Sequence, residues 1–226
     1  MDTLIAAAAL FLGLHLIPST PIRGWLRTAL GEGVYLGLFS LASAAGLVWM
    51  AMAYGRAPYV ELWPQTAALT YVPAAVMPLA FVLLVCGNTV RNPTAVKGEK
   101  HLEARDPAPG ILKVTRHPVM WAIALWALAH LAPNGDVASL LFFGSLAALA
   151  LIGMALQDAR KAKELGAAWG PFALTTSAIP FVAALQGRAK PSLKEIGAWR
   201  ILVGLGAYAA FVAAHGTLIG VPPYLP

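Results

Sequence analysis

Long runs of apolar residues alternate with short polar stretches along this chain, and the lengths of the runs predict its architecture. A helix needs roughly 17–25 mostly apolar residues to cross a bilayer. Five runs meet this length, at about residues 2–18, 33–54, 67–87, 136–157 and 197–220. A sixth run at 118–132 is shorter, but it begins with Pro118, a residue that favours the first turn of a helix. We therefore predict an all-α, polytopic membrane helix bundle with six transmembrane helices.

Two apolar stretches are open to a second interpretation. The first run resembles the apolar part of a secretory signal, but a signal begins with Lys or Arg and this chain begins Met1-Asp2-Thr3. We expect this run to be retained as a helix. The stretch from Phe172 to Leu185 follows Pro171 and is interrupted by Pro180. Because it is short, we predict an interfacial or re-entrant helix near 172–185 instead of a seventh span.

The composition supports a membrane protein and excludes other classes. The chain has 226 residues, of which 59% are hydrophobic and only 12% are charged. A soluble domain carries about 25% charged residues because its surface must be solvated. A function in nucleic-acid binding is therefore excluded despite the net charge of +6. The single cysteine, Cys86, excludes disulfides and a Cys-x-x-Cys-His attachment site for c-type haem.

The positions of the basic residues predict how the chain is oriented. With six spans, every Lys and Arg except Arg56 falls on one side, mostly in the loops at 88–116 and 158–196. Cytoplasmic loops accumulate Lys and Arg, so we expect both loops in the cytoplasm and both termini on the non-cytoplasmic side. The loop at 88–116 is rich in Pro and in charge, which is typical of a solvated linker. We expect residues 1–226 to form a single membrane domain in a bacterial-type inner membrane.

Four histidines lie in or at the ends of the predicted spans: His15, His117, His130 and His215. A titratable residue at membrane depth is costly, so each is a candidate functional residue. The alternative is a neutral imidazole that donates to a backbone carbonyl of a neighbouring helix. Counting along the helices pairs His15 with His117 in depth, and His130 with His215. The fifth histidine, His101, lies in the charged loop, where we expect it to be solvated.

Neutral imidazoles on different helices are the ligands that a membrane-bound haem b requires. Arg116 and His117 stand at the start of a helix, where free N–H groups attract an anionic group, although an interfacial anchor is the alternative. Trp121 and Trp126 lie one turn from His117 and His130 and are candidates to wall a flat ligand, or members of an aromatic belt.

The motifs around these histidines resemble the NnrU family of membrane proteins. The resemblance rests on the runs Phe11–His15, Thr115-Arg116-His117-Pro118, Trp126–Leu131, Asn134-Gly135-Asp136, and His215 with Gly220-Val221-Pro222. It covers almost the whole chain and implies the membrane-bundle fold. The family is named after genes near denitrification functions, which implies a redox or assembly role in nitrogen-oxide metabolism.

The resemblance also extends to the plant 15-cis-ζ-carotene isomerases, which use haem b to isomerise a cis double bond in a hydrophobic polyene. It implies that His15 and His130 are the catalytic residues and axial iron ligands. His117, Arg116, Trp121, Trp126 and His215 are then candidate cofactor-binding residues, with His215 and His117 as reserve ligands. Ala127 stands where the isomerases carry a further cysteine, so a thiolate ligand is excluded at that position.

A second resemblance points to another class of enzyme. Arg116-His117-Pro118, followed by Glu164 and by Trp169-Gly170-Pro171-Phe172, is similar to membrane methyltransferases that use S-adenosylmethionine. A non-catalytic membrane assembly factor is a third hypothesis. In all three, the partners are the lipid bilayer and, for an enzyme, a hydrophobic or lipid-like substrate.

The predicted orientation can be tested with reporter fusions. We expect alkaline phosphatase fused after the last helix to be active, because the positive-inside rule places that end outside the cytoplasm. A fusion within the 88–116 loop should be inactive in the same assay. A C-terminal reporter that is active only in the cytoplasm would contradict the orientation.

Overall fold

The chain folds as a bundle of membrane-length helices, as the hydropathy pattern predicts. The computed structural model describes residues 1–223, and in this part five helices are long and apolar enough to cross a membrane. In chain order the α-helices are α1 (Asp2–Leu16), α2 (Ile22–Leu30), α3 (Glu32–Tyr54), α4 (Ala67–Thr89), α5 (Pro118–Leu131), α6 (Val137–Leu165), α7 (Gly170–Thr175), α8 (Val182–Leu185), α9 (Leu193–Ile196) and α10 (Ala198–Ile219).

The short apolar helix α5 lies in the middle of the bundle. It has 14 residues and packs against both α4 and α6. Small side chains permit this close packing, because they let helix backbones approach one another. The buried residues Ala122, Ala124, Ala127 and Ala129 all belong to α5. Around this centre, α10 packs on α4, and α1 packs on α3 and α6.

Charged and polar contacts join the helix ends on one side of the bundle, which we call the basic end. Arg23 of α2 forms an ion pair with Glu164 near the end of α6. The Nε of Arg200, near the start of α10, donates to the hydroxyl of Thr89 at the end of α4 over 3.0 Å. The loops predicted to share one side of the membrane therefore do share one end of the bundle.

The opposite side of the bundle, which we call the far end, joins α3 to α6. Asp136 caps α6 by accepting the Ser139 amide over 3.0 Å, and the Tyr54 hydroxyl lies 2.9 Å from the Ser139 hydroxyl. Arg56 follows α3 directly and so belongs to this end. The long helices thus alternate between the two ends.

Helix α6 is longer than the predicted span at 136–157. Its 29 residues correspond to about 43 Å at about 1.5 Å per residue, well beyond the hydrocarbon core. The extra two turns contain Asp158, Arg160, Lys161 and Glu164, and the helix ends at Gly166 with φ 53°. Hydropathy marks where the apolar run stops, but a helix continues as long as its backbone hydrogen bonds do. The overhang carries charged groups to the basic end.

The prediction that residues 88–116 form a solvated linker is wrong. Ile111, Leu112 and Thr115 are buried, and this segment packs with Trp169 and Phe172 in one apolar cluster at the basic end. The apolar residues of this loop follow no helical or strand period, so the sequence pattern gave no sign of a core.

The segment near 172–185 also differs from the single interfacial or re-entrant helix that we predicted. It forms two short helices, α7 and α8, and Phe181 between them has a left-handed backbone with φ 65°. Its backbone pairs with the first loop: the Arg116 amide donates to the Ser177 carbonyl over 2.9 Å, and the Phe181 amide to the Val114 carbonyl over 2.8 Å. The two loops therefore fold together as one cap.

Gly204 provides a test of the packing between α10 and α4. A Cβ at Gly204 would lie 2.7 Å from the Cα of Val82, whereas nothing lies within 4 Å of a Cβ at Gly206. We expect Gly204→Ala to lower the free energy of unfolding by about 1–3 kcal/mol, because the neighbour is backbone and must shift. Gly206→Ala is the matched control and should be neutral or slightly stabilising. Unfolding in detergent micelles measures both, and equal effects would contradict the close contact.

Candidate functional site

A large cavity opens at the basic end between α1, α3, α5 and α6. We call it the basic-end cavity, and its volume is about 760 Å³. Its walls are largely apolar and aromatic, and they include Phe11, Leu12, Phe39, Met120, Trp126 and Leu146. Such a mixture of apolar walls and a few polar groups is typical of sites for small molecules and cofactors.

The two sides of the basic-end cavity differ in chemistry. Leu47 and Ile152, which line it from α3 and α6, are 41% and 57% exposed. Exposed apolar side chains at this position face lipid in a membrane, so the cavity opens sideways toward the bilayer. Toward the basic end it is lined by Arg23, Arg160 and Lys161. The cavity is therefore amphipathic, with one apolar opening and one cationic end.

His15 lies in the wall of the basic-end cavity. Its Nδ1 lies 2.8 Å from the carbonyl of Phe11, one turn earlier in α1. A carbonyl only accepts, so Nδ1 carries a proton, and in the neutral imidazole Nε2 has the lone pair. The rings of Phe11 and Phe39 pack against the imidazole, with centroids 4.2 Å and 5.5 Å away. Nε2 is thus the nitrogen of His15 that could bind a metal.

A second cavity of about 530 Å³ lies at the far end, and we call it the far-end cavity. His130 and His215 both line it. The Nδ1 of His130 donates to the Trp126 carbonyl over 2.8 Å, and that of His215 to the Val221 carbonyl over 2.9 Å. In both imidazoles Nδ1 is therefore engaged by a carbonyl, and Nε2 is the nitrogen without this contact. The pairing of His130 with His215 that we inferred from depth corresponds to their common cavity.

Trp126 stands between the two cavities. It lines the basic-end cavity, while its ring packs 5.6 Å from His130 and 5.4 Å from Phe143, both of which line the far-end cavity. His15 and His130 consequently face different cavities. The structure does not bring together the two histidines that the family resemblance pairs as axial ligands.

Arg116 and His117 line neither cavity. His117 is 2% exposed, and its Nε2 lies 2.9 Å from Oδ1 of Asp158. The Nε of Arg116 lies 3.4 Å from the other oxygen of the same carboxylate. Burial lowers the pKa of the Arg116 guanidinium, and the Asp158 carboxylate opposes this shift. This buried network joins the start of α5 to the overhang of α6.

Trp121 also lines neither cavity and instead makes a hydrogen bond to the backbone. Its indole N–H donates to the Ala178 carbonyl over 2.8 Å, and the hydroxyl of Thr115 donates to the same oxygen over 2.8 Å. Of the two tryptophans proposed to wall a flat ligand, only Trp126 lines either of the two cavities.

Arg23, Glu99 and Lys161 line the basic-end cavity, and no sequence motif marked them as site residues. Arg23 and Glu164 pair across 141 positions, a separation that no local motif reveals. Lys161 is 2% exposed and forms an ion pair with Glu99. Burial alone would raise the pKa of Glu99, but the hydrogen bond from Lys161 and the nearby Arg160 lower it below its ordinary value. The charged tail of α6 was the one available signal, and it resembles an ordinary solvated helix end.

Among residues 1–223, no group of three or more His, Cys, Asp or Glu side chains is placed to hold a metal ion by itself.

Comparisons with known proteins agree with the fold and the motifs. The sequence model of the NnrU protein family matches residues 3–223. The chloroplastic 15-cis-zeta-carotene isomerase of Arabidopsis thaliana is 37% identical over 79 residues, which cover 35% of this chain and 22% of that protein. The match thus spans about a fifth of this curated relative. No solved structure matches the chain at a significant level. Because the family model covers nearly the whole chain, this protein belongs to the NnrU family of membrane proteins.

Proposed function

We propose that this protein binds haem b in the basic-end cavity and isomerises a double bond of a hydrophobic polyene. The observation that carries the proposal is the position of His15, whose Nδ1 is engaged by the Phe11 carbonyl, in the wall of a large apolar cavity that opens toward lipid. The family membership and the name of the plant relative support the same class of reaction.

The residues of the basic-end cavity fit haem b. The cofactor needs an axial nitrogen, apolar walls for its macrocycle and partners for two carboxylates. His15 offers Nε2, Phe39 and Trp126 are flat aromatic walls, and the cationic end offers partners for carboxylates. When bound, haem supplies an iron that interacts with the polyene and lowers its double-bond character. The chain contributes the axial nitrogen, the orientation of the substrate and a dry site.

The proton on Nδ1 of His15 defines the role of this residue. The Phe11 carbonyl accepts from Nδ1 and orients the ring, as a carbonyl hydrogen-bonded to the other nitrogen of a metal-bound histidine does. Among the residues that the structure describes, His15 is the one histidine that lines this cavity, so it would hold the cofactor while the apolar walls would accommodate the substrate. His130 and His215 are the reserve ligands, and the far-end cavity is the reserve site.

The lipid-facing opening determines how substrate arrives. A polyene is as apolar as the lipid chains, so it enters between α3 and α6 without crossing water. Leu47 and Ile152 line this opening, and Trp126 closes the cavity toward the far end. The exclusion of water by these walls protects the reactive centre from side reactions.

Other roles stay predictions from the sequence. A redox role in nitrogen-oxide metabolism would use the same cofactor. A methyltransferase role would use Arg116, His117 and Glu164, but the first two line neither cavity and the third is engaged with Arg23. A non-catalytic assembly role has no contact that favours it. We propose that the basic end faces the cytoplasm of a bacterial-type cell.

The axial role of His15 can be tested by spectroscopy. The protein purified from haem-supplemented cells should show a Soret absorption band, and His15→Ala should lose most of it, because the cavity then lacks its axial nitrogen. His101→Ala is the matched control, since His101 does not line either of the two cavities, and it should keep the band. Isomerisation of a cis polyene should fall in parallel.

Two outcomes would contradict this assignment. A colourless wild-type preparation would remove haem b from the proposal. A Soret band that survives in His15→Ala but disappears in His130→Ala would move the cofactor to the far-end cavity. Thermal unfolding of each variant is the control for the fold. A variant that unfolds at the same temperature as the wild type has lost the Soret band without losing its fold.

A further inference from the structure

The cationic end of the basic-end cavity has more positive groups than its acidic residues neutralise. Arg23 and Arg160 share a single carboxylate, Glu164, with 3.2 Å between Arg160 Nη1 and Glu164 Oε2. The side chains of the two arginines are only 17% and 20% exposed. Each guanidinium has five N–H donors, so one shared carboxylate leaves most of them available.

The other charged residues at this end do not neutralise the excess of positive charge. Lys161 is paired with Glu99, and Glu32 is paired with Arg27 over 2.9 Å. Lys97 also lines the cavity and forms no ion pair with the residues that the structure describes. The excess of positive charge therefore lies at the cavity itself, beside Arg23 and Arg160.

A rigid turn holds Lys97 in position. Its backbone has φ 57°, a left-handed conformation that residues other than glycine seldom adopt. A Cβ on the following Gly98 would lie 2.1 Å from the Asn92 carbonyl oxygen, so this turn is tightly closed. The Thr94 amide donates to the Asn92 side chain over 2.9 Å, and Gln157 of α6 donates to the Thr94 carbonyl over 3.0 Å. Strained backbone of this kind is characteristic of functional sites.

Helix α2 fixes Arg23 at the level of the membrane surface. It follows α1 after a short turn, and Ile22, Trp25 and Leu30 are 51%, 69% and 41% exposed. Apolar and aromatic side chains beside arginines are typical of a helix that lies in the interfacial plane. A ligand whose apolar body fills the cavity would present a polar end at this same level.

We propose that Arg23, Lys97 and Arg160 form a binding site for the carboxylates of an amphipathic ligand whose apolar body occupies the basic-end cavity. Glu164 pairs with the two arginines that the carboxylates of the ligand would bind. The identity of the ligand rests on the proposed function, in which these carboxylates are the two propionates of haem b. A fatty acid carries the same chemical group and is the alternative source.

The test compares a porphyrin that has carboxylates with one that lacks them. Metal-free protoporphyrin IX and its dimethyl ester are titrated into the full chain in zwitterionic nanodiscs, and quenching of tryptophan fluorescence reports binding. The absence of iron makes the measurement independent of His15. We expect the acid to bind at least about tenfold more tightly than the ester, because charge-assisted hydrogen bonds are lost in the ester.

Variants at the cationic end should move the affinity in opposite directions. Arg23→Gln combined with Arg160→Gln should bring the affinity for the acid close to that for the ester. Glu164→Gln should raise the affinity for the acid about threefold or more and leave the ester unchanged, because it removes a competing carboxylate. Arg56→Gln, at the far end, is the matched control and should change neither. A gain of affinity in Glu164→Gln is a result that damage to the fold does not produce.

Equal binding of acid and ester, or weaker binding of the acid by Glu164→Gln, would overturn the carboxylate site even if His15 still binds haem. Oleate and methyl oleate form the second arm. A preference for oleate with no binding of either porphyrin would support the carboxylate site and overturn haem as its ligand. The two arms therefore separate the failure of this inference from the failure of the proposed function.

Discussion

In the hydrocarbon core of a bilayer, every backbone N–H and C=O group must find its partner within the chain. The helices of this protein satisfy that constraint, and its few membrane-embedded histidines follow the same rule. His15 and His130 each donate to the carbonyl four residues earlier in their own helix. This hydrogen bond gives the Nδ1–H donor of each imidazole a partner in an apolar setting. The requirement that makes the fold helical thus also determines how these imidazoles are oriented.

The same constraint concentrates polar groups at the two ends, and at the basic end they form a folded unit. The loops at 88–116 and 158–196 share backbone hydrogen bonds and a common apolar cluster that contains Leu112 and Phe172. The His117–Asp158 contact links this unit to α6. Because α6 extends past the membrane, its last turns supply Arg160 and Lys161 to a cavity whose walls come from the transmembrane helices, and Glu164 pairs with Arg160 beside it. The bundle and the cap together produce one amphipathic site.

The division into two cavities depends on side-chain size along α5. Alanines at buried positions of this helix allow α4 and α6 to approach closely, while Trp126 is large enough to separate the space on its two sides. Two potential metal ligands, His15 and His130, therefore occupy separate environments. One is lined by cations and opens to lipid, and the other holds a second histidine, His215.

The sequence by itself determined the membrane class, the positions of the long helices and the common side of the basic loops. Hydropathy and charge are properties of individual residues, so they can be read directly from the sequence. It also identified the four membrane histidines and the family. Only the tertiary structure decided that residues 88–116 form a core, since scattered apolar residues such as Ile111 and Leu112 gain a partner only from another loop. It alone separated His15 from His130 and joined Arg23 to Glu164. Which side chains share a cavity depends on how helices distant in sequence pack, and no local pattern contains that information.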